Sequence, residues 1–186
     1  MKDVEFKTER YLIRPLRLSD ASNRYLSWLL DERVSRTLDS DGENQTLESI
    51  TKYIQSHNNK IDFLFGIFIK NYKNNEGQHI GNISFRLHPE HKLANIGIMI
   101  GDYNYWGKGV PLEVREKIID WAFDKLECNK IEAGCYSINI PAIYNFKRQY
   151  WEMEGIQKNH RIVEDKNVDL ILFGMRREVW YANRNT

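Results

Sequence analysis

Apolar positions along the chain repeat with two different periods, and each period predicts a different element. Residues 96–101, with the sequence IGIMIG, place isoleucine at every second position, which predicts a β-strand with at least one buried face. Residues 114–126 place apolar side chains every three or four positions, which predicts an amphipathic α-helix. Pro111 and Glu113 suit the first turn of that helix, where a missing N–H is tolerated and the dipole favours an acidic residue. The centre of the chain is therefore predicted to be strand, loop and helix.

The same patterns predict the elements on either side of this centre. Further strands are expected at about 10–18, 63–70, 79–87, 130–138, 156–163 and 168–175, and further helices at about 21–36, 47–57 and 139–149. Together these elements predict an α/β (α+β) fold with a mixed, largely antiparallel sheet of about seven strands flanked by about four helices. No repeat or linker interrupts the 186 residues, so residues 1–186 are predicted to form one domain.

A glycine-rich loop separates the central strand from the helix. Residues 104–109 read NYWGKG, and glycine permits positive φ angles and close approach of another molecule to the backbone. A helix that follows such a loop presents unpaired N–H groups, so a pyrophosphate is the expected ligand, with an ordinary strand-to-helix turn as the alternative. Two other phosphate loops are excluded. Val110 and Pro111 replace the Lys-Ser or Lys-Thr of a nucleotide-triphosphatase loop, and Leu112 replaces the third glycine of a dinucleotide fingerprint.

Composition narrows the class of protein. With 41% apolar residues, 28% charged residues and a net charge of +1, the chain has the composition of a soluble globular protein. Nothing in this charge balance favours nucleic acid or a membrane surface as a partner. Cys128 and Cys135 form no C-x-x-C pair and are expected to be reduced thiols that fill apolar space. The first ten residues lack the apolar core of a signal peptide, so a cytoplasmic location is expected.

Two segments carry a recognisable family pattern. The first consists of Ala94, Ile96, Gly97, Ile100, the YWGKG run at 105–109 and Glu113. The second consists of Asn139, Ala142, Glu154 and Gly155, with Phe146 in a slot where a tyrosine is frequent. In these positions the chain resembles the GNAT superfamily of N-acetyltransferases, and within it the branch of ribosomal-protein-alanine acetyltransferases. It departs from that pattern at Asn95, where many members have an acidic residue.

The resemblance implies a GNAT fold, acetyl-CoA as cosubstrate and a set of binding residues. The pyrophosphate of acetyl-CoA would bind the backbone N–H groups of the loop at Trp106, Gly107, Lys108, Gly109 and Val110. The pantetheine arm would pair with the strand backbone at Ile98, Met99 and Ile100, held by Asn139 and close to Phe146. Two alternatives stay open, because Asn139 also suits a plain helix N-cap and Lys108 either contacts phosphate or is simply solvated.

The expected reaction needs a base that the family position does not supply. An amine must be neutral to attack a thioester, yet a free aliphatic ammonium has a pKa of about 10.4. Asn95 cannot remove the proton. The candidates are His88, Glu90 and His91 before the central strand, and Ser137 as a relay through water. The two histidines lack the further ligands of a zinc site, so they are expected to be solvated if they are not catalytic, and no metal is expected.

The acceptor is the least determined part of the prediction. The resemblance implies acetyl transfer to a primary amine by direct attack on the thioester, with a protein N-terminus or an amino sugar favoured as acceptor. Asp39, Asp41 and Glu43 would form an acidic lip for a cationic amine, or serve only solubility. The partner is thus expected to be a small-molecule or peptide amine, and a homodimer is left open. The alternative is a non-catalytic acyl-CoA-binding or interaction module, because Asn95 and Phe146 replace residues that often act as acid or base.

Overall fold

The computed structural model describes residues 4–38, 44–70 and 77–184, and within these ranges it contains eight β-strands and six α-helices. The strands are β1 (Phe6–Lys7), β2 (Tyr11–Pro15), β3 (Asp62–Ile69), β4 (His79–His88), β5 (Leu93–Ile100), β6 (Lys130–Tyr136), β7 (Glu152–Val163) and β8 (Lys166–Arg176). The helices are α1 (Asn23–Leu29), α2 (Glu32–Ser35), α3 (Leu47–Ser56), α4 (Val110–Asp124), α5 (Ile140–Arg148) and α6 (Arg177–Asn183). None of these helices is long and apolar enough to cross a membrane.

The strands form a mixed sheet in the order β1-β2-β3-β4-β5-β6-β8-β7. The pairs β1–β2, β2–β3, β3–β4, β6–β8 and β7–β8 run antiparallel. β5 and β6 run parallel, and α4 connects them along the chain, as a crossover helix must. The predicted α/β fold with a largely antiparallel sheet is therefore confirmed.

The helix predicted at 21–36 is divided into α1 and α2. α1 ends at Leu29, and the side chain of Asp31 accepts the backbone N–H of Arg33 at 3.0 Å to begin α2. Ser22 caps α1, and Asp20, just before it, accepts hydrogen bonds from Arg14 and from the Arg17 backbone. The division arises because an aspartate side chain can satisfy free N–H groups in the middle of an otherwise helical pattern.

Two elements were not predicted, namely β1 and α6. β1 is two residues long, and its Phe6 packs edge-on against Phe65 of β3 with ring centroids 5.7 Å apart. In α6, the indole N–H of Trp180 donates to Asp120 of α4 at 2.9 Å. Such short segments are too brief to show a period, so contacts with distant residues determine them.

The described chain divides into two compact units. The first unit comprises Met1–Arg86 and Ile98–Ile118, and the second comprises Leu87–Gly97 and Ile119–Thr186. In the first unit, α1 and α3 pack on the sheet through buried side chains that include Trp28, Ile50 and Phe68. In the second, the core includes Phe123, Ile131, Phe173 and Met175. The organisation of residues 1–186 as one domain stays a prediction.

Candidate functional site

The loop between β5 and α4 is anchored by a buried carboxylate. Asp102, which is 5% exposed, accepts hydrogen bonds from Gln78 Nε2 at 2.7 Å and from Arg24 Nη1 at 3.2 Å. It also accepts the backbone and side-chain N–H groups of Asn104, each at 3.0 Å, and so begins a short 3-10 turn at Tyr103–Tyr105. These bonds determine the direction in which the glycine-rich segment leaves the sheet.

The glycine-rich segment leaves three donors free at the N-terminus of α4. Gly107 and Gly109 both have φ of +71°, a conformation that residues with a Cβ rarely adopt. Among the described residues, none accepts a hydrogen bond from the backbone N–H of Gly107, Gly109 or Val110. The N–H of Trp106 donates to Tyr103 at 3.1 Å, and that of Lys108 makes a long bond of 3.4 Å to Tyr105. Free N–H groups at the positive end of a helix attract anions.

Arg10 forms an ion pair with Glu113 and also contacts the glycine-rich segment. Arg10 Nε donates to Glu113 Oε2 at 2.7 Å, and the Arg10 backbone N–H donates to Glu113 Oε1 at 2.9 Å. Arg10 Nη1 donates to the carbonyl of Lys108 at 3.0 Å. Burial alone would raise the pKa of Glu113, but hydrogen bonds from Thr8 and Arg10 hold that pKa below its usual value. Glu113 is therefore a charged group in the first turn of α4, paired with Arg10.

Two other side chains of the loop are placed as follows. The indole N–H of Trp106 donates to the carbonyl of Ile100 at 2.7 Å, while the residue stays 42% exposed. The Lys108 ammonium lies 5.2 Å from the centre of the Tyr105 ring, which is a cation–π distance. The phosphate contact considered for Lys108 stays a prediction.

The strand residues predicted to bind pantetheine lie beyond the part of β5 that pairs with β6. The parallel ladder with β6 extends from Leu93 opposite Lys130 to Asn95 opposite Glu132. Ile98, Met99 and Ile100 follow it and are partly exposed. β4 approaches this stretch closely, because a Cβ on Gly81 would lie 2.3 Å from the Met99 carbonyl oxygen. Their pairing with a pantetheine arm stays a prediction.

Asn139 and Phe146 both belong to the second unit. The side chain of Asn139 accepts the N–H of Ala142 at 3.2 Å, so Asn139 is the N-cap of α5. This contact uses the amide oxygen and does not involve the amide N–H groups. Phe146 is buried, stacked on Phe173 with centroids 4.5 Å apart and edge-on to Trp151 at 5.1 Å. The predicted cofactor contacts of both residues remain predictions.

Apart from the neighbours Glu90 and His91, the proposed base candidates contact different groups. His88 Nε2 lies 2.8 Å from Asn95 Oδ1. Glu90 is exposed in a 3-10 turn, with a carboxylate oxygen 3.9 Å from His91 Nε2. The Ser137 hydroxyl accepts the backbone N–H of Asp169 at 3.2 Å. Of these candidates, His88 is the one that contacts the position where the family pattern has its acid.

Sequence reasoning missed a carboxylate beside Asn95. Glu132 is the cross-strand partner of Asn95, whose Nδ2 lies 3.4 Å from Glu132 Oε2. Lys130 bridges Glu132 at 3.0 Å and Glu154 at 2.7 Å. Asn95, Glu132 and Glu154 line a cavity of about 290 Å³. The other lining residues are Ile96, Ala133, Gly134, Leu170, Leu172 and Phe173. The alternation in β6 indicates that Glu132 faces away from the core, but its neighbour depends on a register that one sequence does not reveal.

Comparison with known proteins identifies the family. A family model described as an acetyltransferase (GNAT) domain matches residues 10–148. The chain belongs to the GNAT acetyltransferase family. The matched range includes β5, the glycine-rich segment, α4 and α5, so the resemblance to the GNAT superfamily is confirmed; Glu154 and Gly155 of the second motif lie beyond this range.

Individual proteins resemble the chain in part of the sequence or in the fold. The uncharacterized N-acetyltransferase p20 of Bacillus licheniformis is 31% identical over 97 residues, which are 52% of this chain and 54% of that protein. The match thus spans about half of the curated relative. Among solved structures, the ribosomal-protein-S5-alanine acetyltransferase of Vibrio fischeri is 22% identical with a TM-score of 0.71 and covers 96% of this chain and 99% of its own. The spermidine N-acetyltransferase of Vibrio cholerae, in complex with CoA and spermine, is 14% identical with a TM-score of 0.79 and covers 92% and 98%.

The acidic lip and the absence of a metal ion both remain predictions from the sequence. Asp39, Asp41 and Glu43, predicted as a possible acidic lip, lie outside the described residues. Within 4–38, 44–70 and 77–184, no group of three or more His, Cys, Asp or Glu side chains is arranged to hold a metal ion.

Proposed function

We propose that this GNAT protein transfers the acetyl group of acetyl-CoA to a primary amine by direct attack of the amine on the thioester. The observation that carries this proposal is a set of three backbone N–H groups, at Gly107, Gly109 and Val110, to which the described part of the chain offers no acceptor, at the start of a 15-residue helix. A diphosphate supplies the negative charge and the acceptor oxygens with which such a group of donors can form hydrogen bonds. The family membership supports CoA as the molecule that carries this diphosphate.

The transfer requires changes at four atoms, namely the amine nitrogen, the carbonyl carbon, the carbonyl oxygen and the sulfur. The amine nitrogen, once neutral, bonds to the thioester carbonyl carbon, and the carbonyl oxygen becomes an oxyanion that a backbone N–H near Met99 can stabilise. The C–S bond then breaks, and the sulfur leaves as a thiolate, whose conjugate thiol has a pKa of about 8.5, so protonation of the leaving group is not demanding. The proton lost by the amine goes to a base. His88, Glu90 and Ser137 remain candidates for this role, directly or through water.

The acceptor is proposed to be the amine of a peptide N-terminus or of a small molecule such as an amino sugar. The branch that the motifs resemble supports the peptide, and the spermidine acetyltransferase of similar fold supports a small polyamine. Two carboxylates, those of Glu132 and Glu154, line the cavity of the second unit with one lysine between them, which suits a cationic substrate. A non-catalytic CoA-binding module is the rival proposal, supported by Asn95 and by the burial of Phe146.

Release of free CoA separates the two proposals. Purified protein is incubated with acetyl-CoA and, one at a time, peptides with free N-termini, amino sugars and polyamines, while a thiol reagent reports CoA. We expect thiol release that depends on at least one class of amine, and none with the same peptide after N-terminal acetylation. Tight CoA binding in calorimetry without release by any amine would favour the non-catalytic module.

A further inference from the structure

Arg10 joins the start of β2 to the loop that precedes α4. It lies 98 residues before Lys108 and 103 residues before Glu113 in the sequence. Its guanidinium nevertheless contacts both residues, with Nε 2.7 Å from Glu113 Oε2 and Nη1 3.0 Å from the Lys108 carbonyl. One side chain therefore holds the loop on one side of Gly109 and the helix on the other.

The backbone of Arg10 is itself fixed to the sheet. Its carbonyl accepts the N–H of Lys70, at the end of β3, at 2.9 Å, and its own N–H donates to Glu113 at 2.9 Å. The next residue, Tyr11, begins β2 and pairs with Ile69. The guanidinium thus extends from a backbone that is hydrogen-bonded to the end of the β2–β3 pair, and it contacts the loop from there.

The held segment contains two of the three free donors. Gly109 and Val110 lie between the two positions that Arg10 contacts, and Gly109 has φ of +71°. Glycine has more accessible conformations than any other residue, so a loop held at only one end would leave the donor geometry for part of the time. Restricting the loop before a ligand arrives avoids that entropy cost at binding.

The pair also controls the charge at the start of α4. Glu113 is a carboxylate in the first turn, with its side chain 21% exposed, and its charge opposes that of an incoming phosphate. Arg10 neutralises this charge where the two groups meet. Without Arg10, the free N–H groups would stand beside an uncompensated anion.

We propose that Arg10 is a positioning residue of the CoA site, which orders the donors of Gly109 and Val110 and neutralises Glu113. The inference rests on the proposed function, because it takes the diphosphate of CoA as the ligand of this loop. It assigns to Arg10 an effect on ligand affinity beyond its effect on folding.

The test compares CoA affinity with the stability of the free protein. Calorimetric titration with CoA and thermal unfolding without ligand are measured for the wild type, Arg10→Gln, Arg10→Lys and the double variant Arg10→Gln/Glu113→Gln. For Arg10→Gln we expect about 10- to 100-fold weaker CoA binding, which is about the effect of one lost charge-assisted hydrogen bond to the diphosphate. Arg10→Lys keeps the charge but lacks the fork that reaches both acceptors, so it should bind at least about 5-fold more weakly than the wild type. The double variant should bind more tightly than Arg10→Gln, because it removes the unpaired carboxylate.

Arg176→Gln is the matched control. Arg176 makes a similar double contact with Glu152, at 3.2 and 3.0 Å, and its side chain has the same 46% exposure as that of Arg10. We expect this variant to lose a similar small amount of stability and to bind CoA like the wild type.

The outcomes separate this inference from the function on which it rests. If the wild type binds CoA and Arg10→Gln binds it within about 3-fold, the positioning role is overturned while the acetyltransferase proposal stands. Wild-type affinity in Arg10→Lys would overturn the two-acceptor geometry, since charge alone would then suffice. If Arg10→Gln does not fold, Arg10→Lys tests the positioning role in its place, and CoA binding within about 3-fold of the wild type would overturn that role. A wild-type protein that does not bind CoA would overturn both proposals.

Discussion

The replacement Gly109→Val tests the donor loop directly. Gly109 has φ of +71°, and a Cβ placed on it would meet only Arg10 Nη2, at 3.9 Å. Among the described residues, the added Cβ therefore meets no close contact, and the main cost to the folded protein comes from the backbone angle. A β-branched residue in this conformation costs about 1–3 kcal/mol, which for a chain of this size corresponds to a decrease in Tm of roughly 2–12 °C.

The expected effect on CoA binding is much larger. The introduced valine would either move to negative φ and turn the N–H groups of residues 109 and 110 away, or keep its angle and place a side chain where the diphosphate approaches. Two lost charge-assisted hydrogen bonds, each of about 1.5–3 kcal/mol, weaken binding by at least about 100-fold. CoA at about 100 times the wild-type Kd raises the wild-type free energy of unfolding by about 2.7 kcal/mol, and it would raise that of the variant by only about 0.4 kcal/mol.

Calorimetric titration and thermal unfolding with and without CoA measure both effects. Asn159→Val is the matched control, because Asn159 also has a positive φ, of 49°, but lies in β7 and contributes no donor to the loop. It should lose stability without losing CoA affinity. A Gly109→Val protein that binds CoA within about 3-fold of the wild type would show that the diphosphate does not use this loop, and the observation that carries the proposed function would be lost.

Three further changes have defined expectations. Because a thiolate leaves readily, Phe146→Tyr should change turnover by less than about 10-fold, and a larger gain in kcat would show that leaving-group protonation limits the native enzyme. Burial lowers the pKa of His79 in the folded protein. Below a pH of about 6.5 the unfolded chain therefore binds a proton at this residue more readily than the folded chain does, which favours unfolding. We expect the Tm to decrease as the pH is lowered from about 6.5 to about 5, and to decrease less in His79→Gln. An identical profile in that variant would rule out His79 as the cause. Arg14 is 3% exposed and holds Asp20 through contacts of 2.8 and 2.9 Å, so Arg14→Gln should cost about 3–5 kcal/mol in urea unfolding, and a loss below about 1 kcal/mol would contradict this.

Local pattern was sufficient for the central strand, loop and helix. The two-residue period before residue 101 and the helical period after residue 113 depend on neighbours within one or two turns, and β5 and α4 follow them closely. The glycines of the loop were recognised from residue type alone, and their positive φ angles bear out the geometric reason for them. The same holds for Asn139, whose capping contact needs only the next three residues.

Contacts between distant residues were decided only by the tertiary structure. The pairing of Arg10 with Glu113 spans 103 residues, and that of Asn95 with Glu132 spans 37. No local period encodes such pairs, because they depend on which strands are neighbours and on their register. Sequence reasoning therefore predicted a loop of backbone donors at residues 106–110, and the contact of these donors with a phosphate stays a prediction. The arginine that holds them, and the carboxylate beside Asn95, became visible only once the chain was folded.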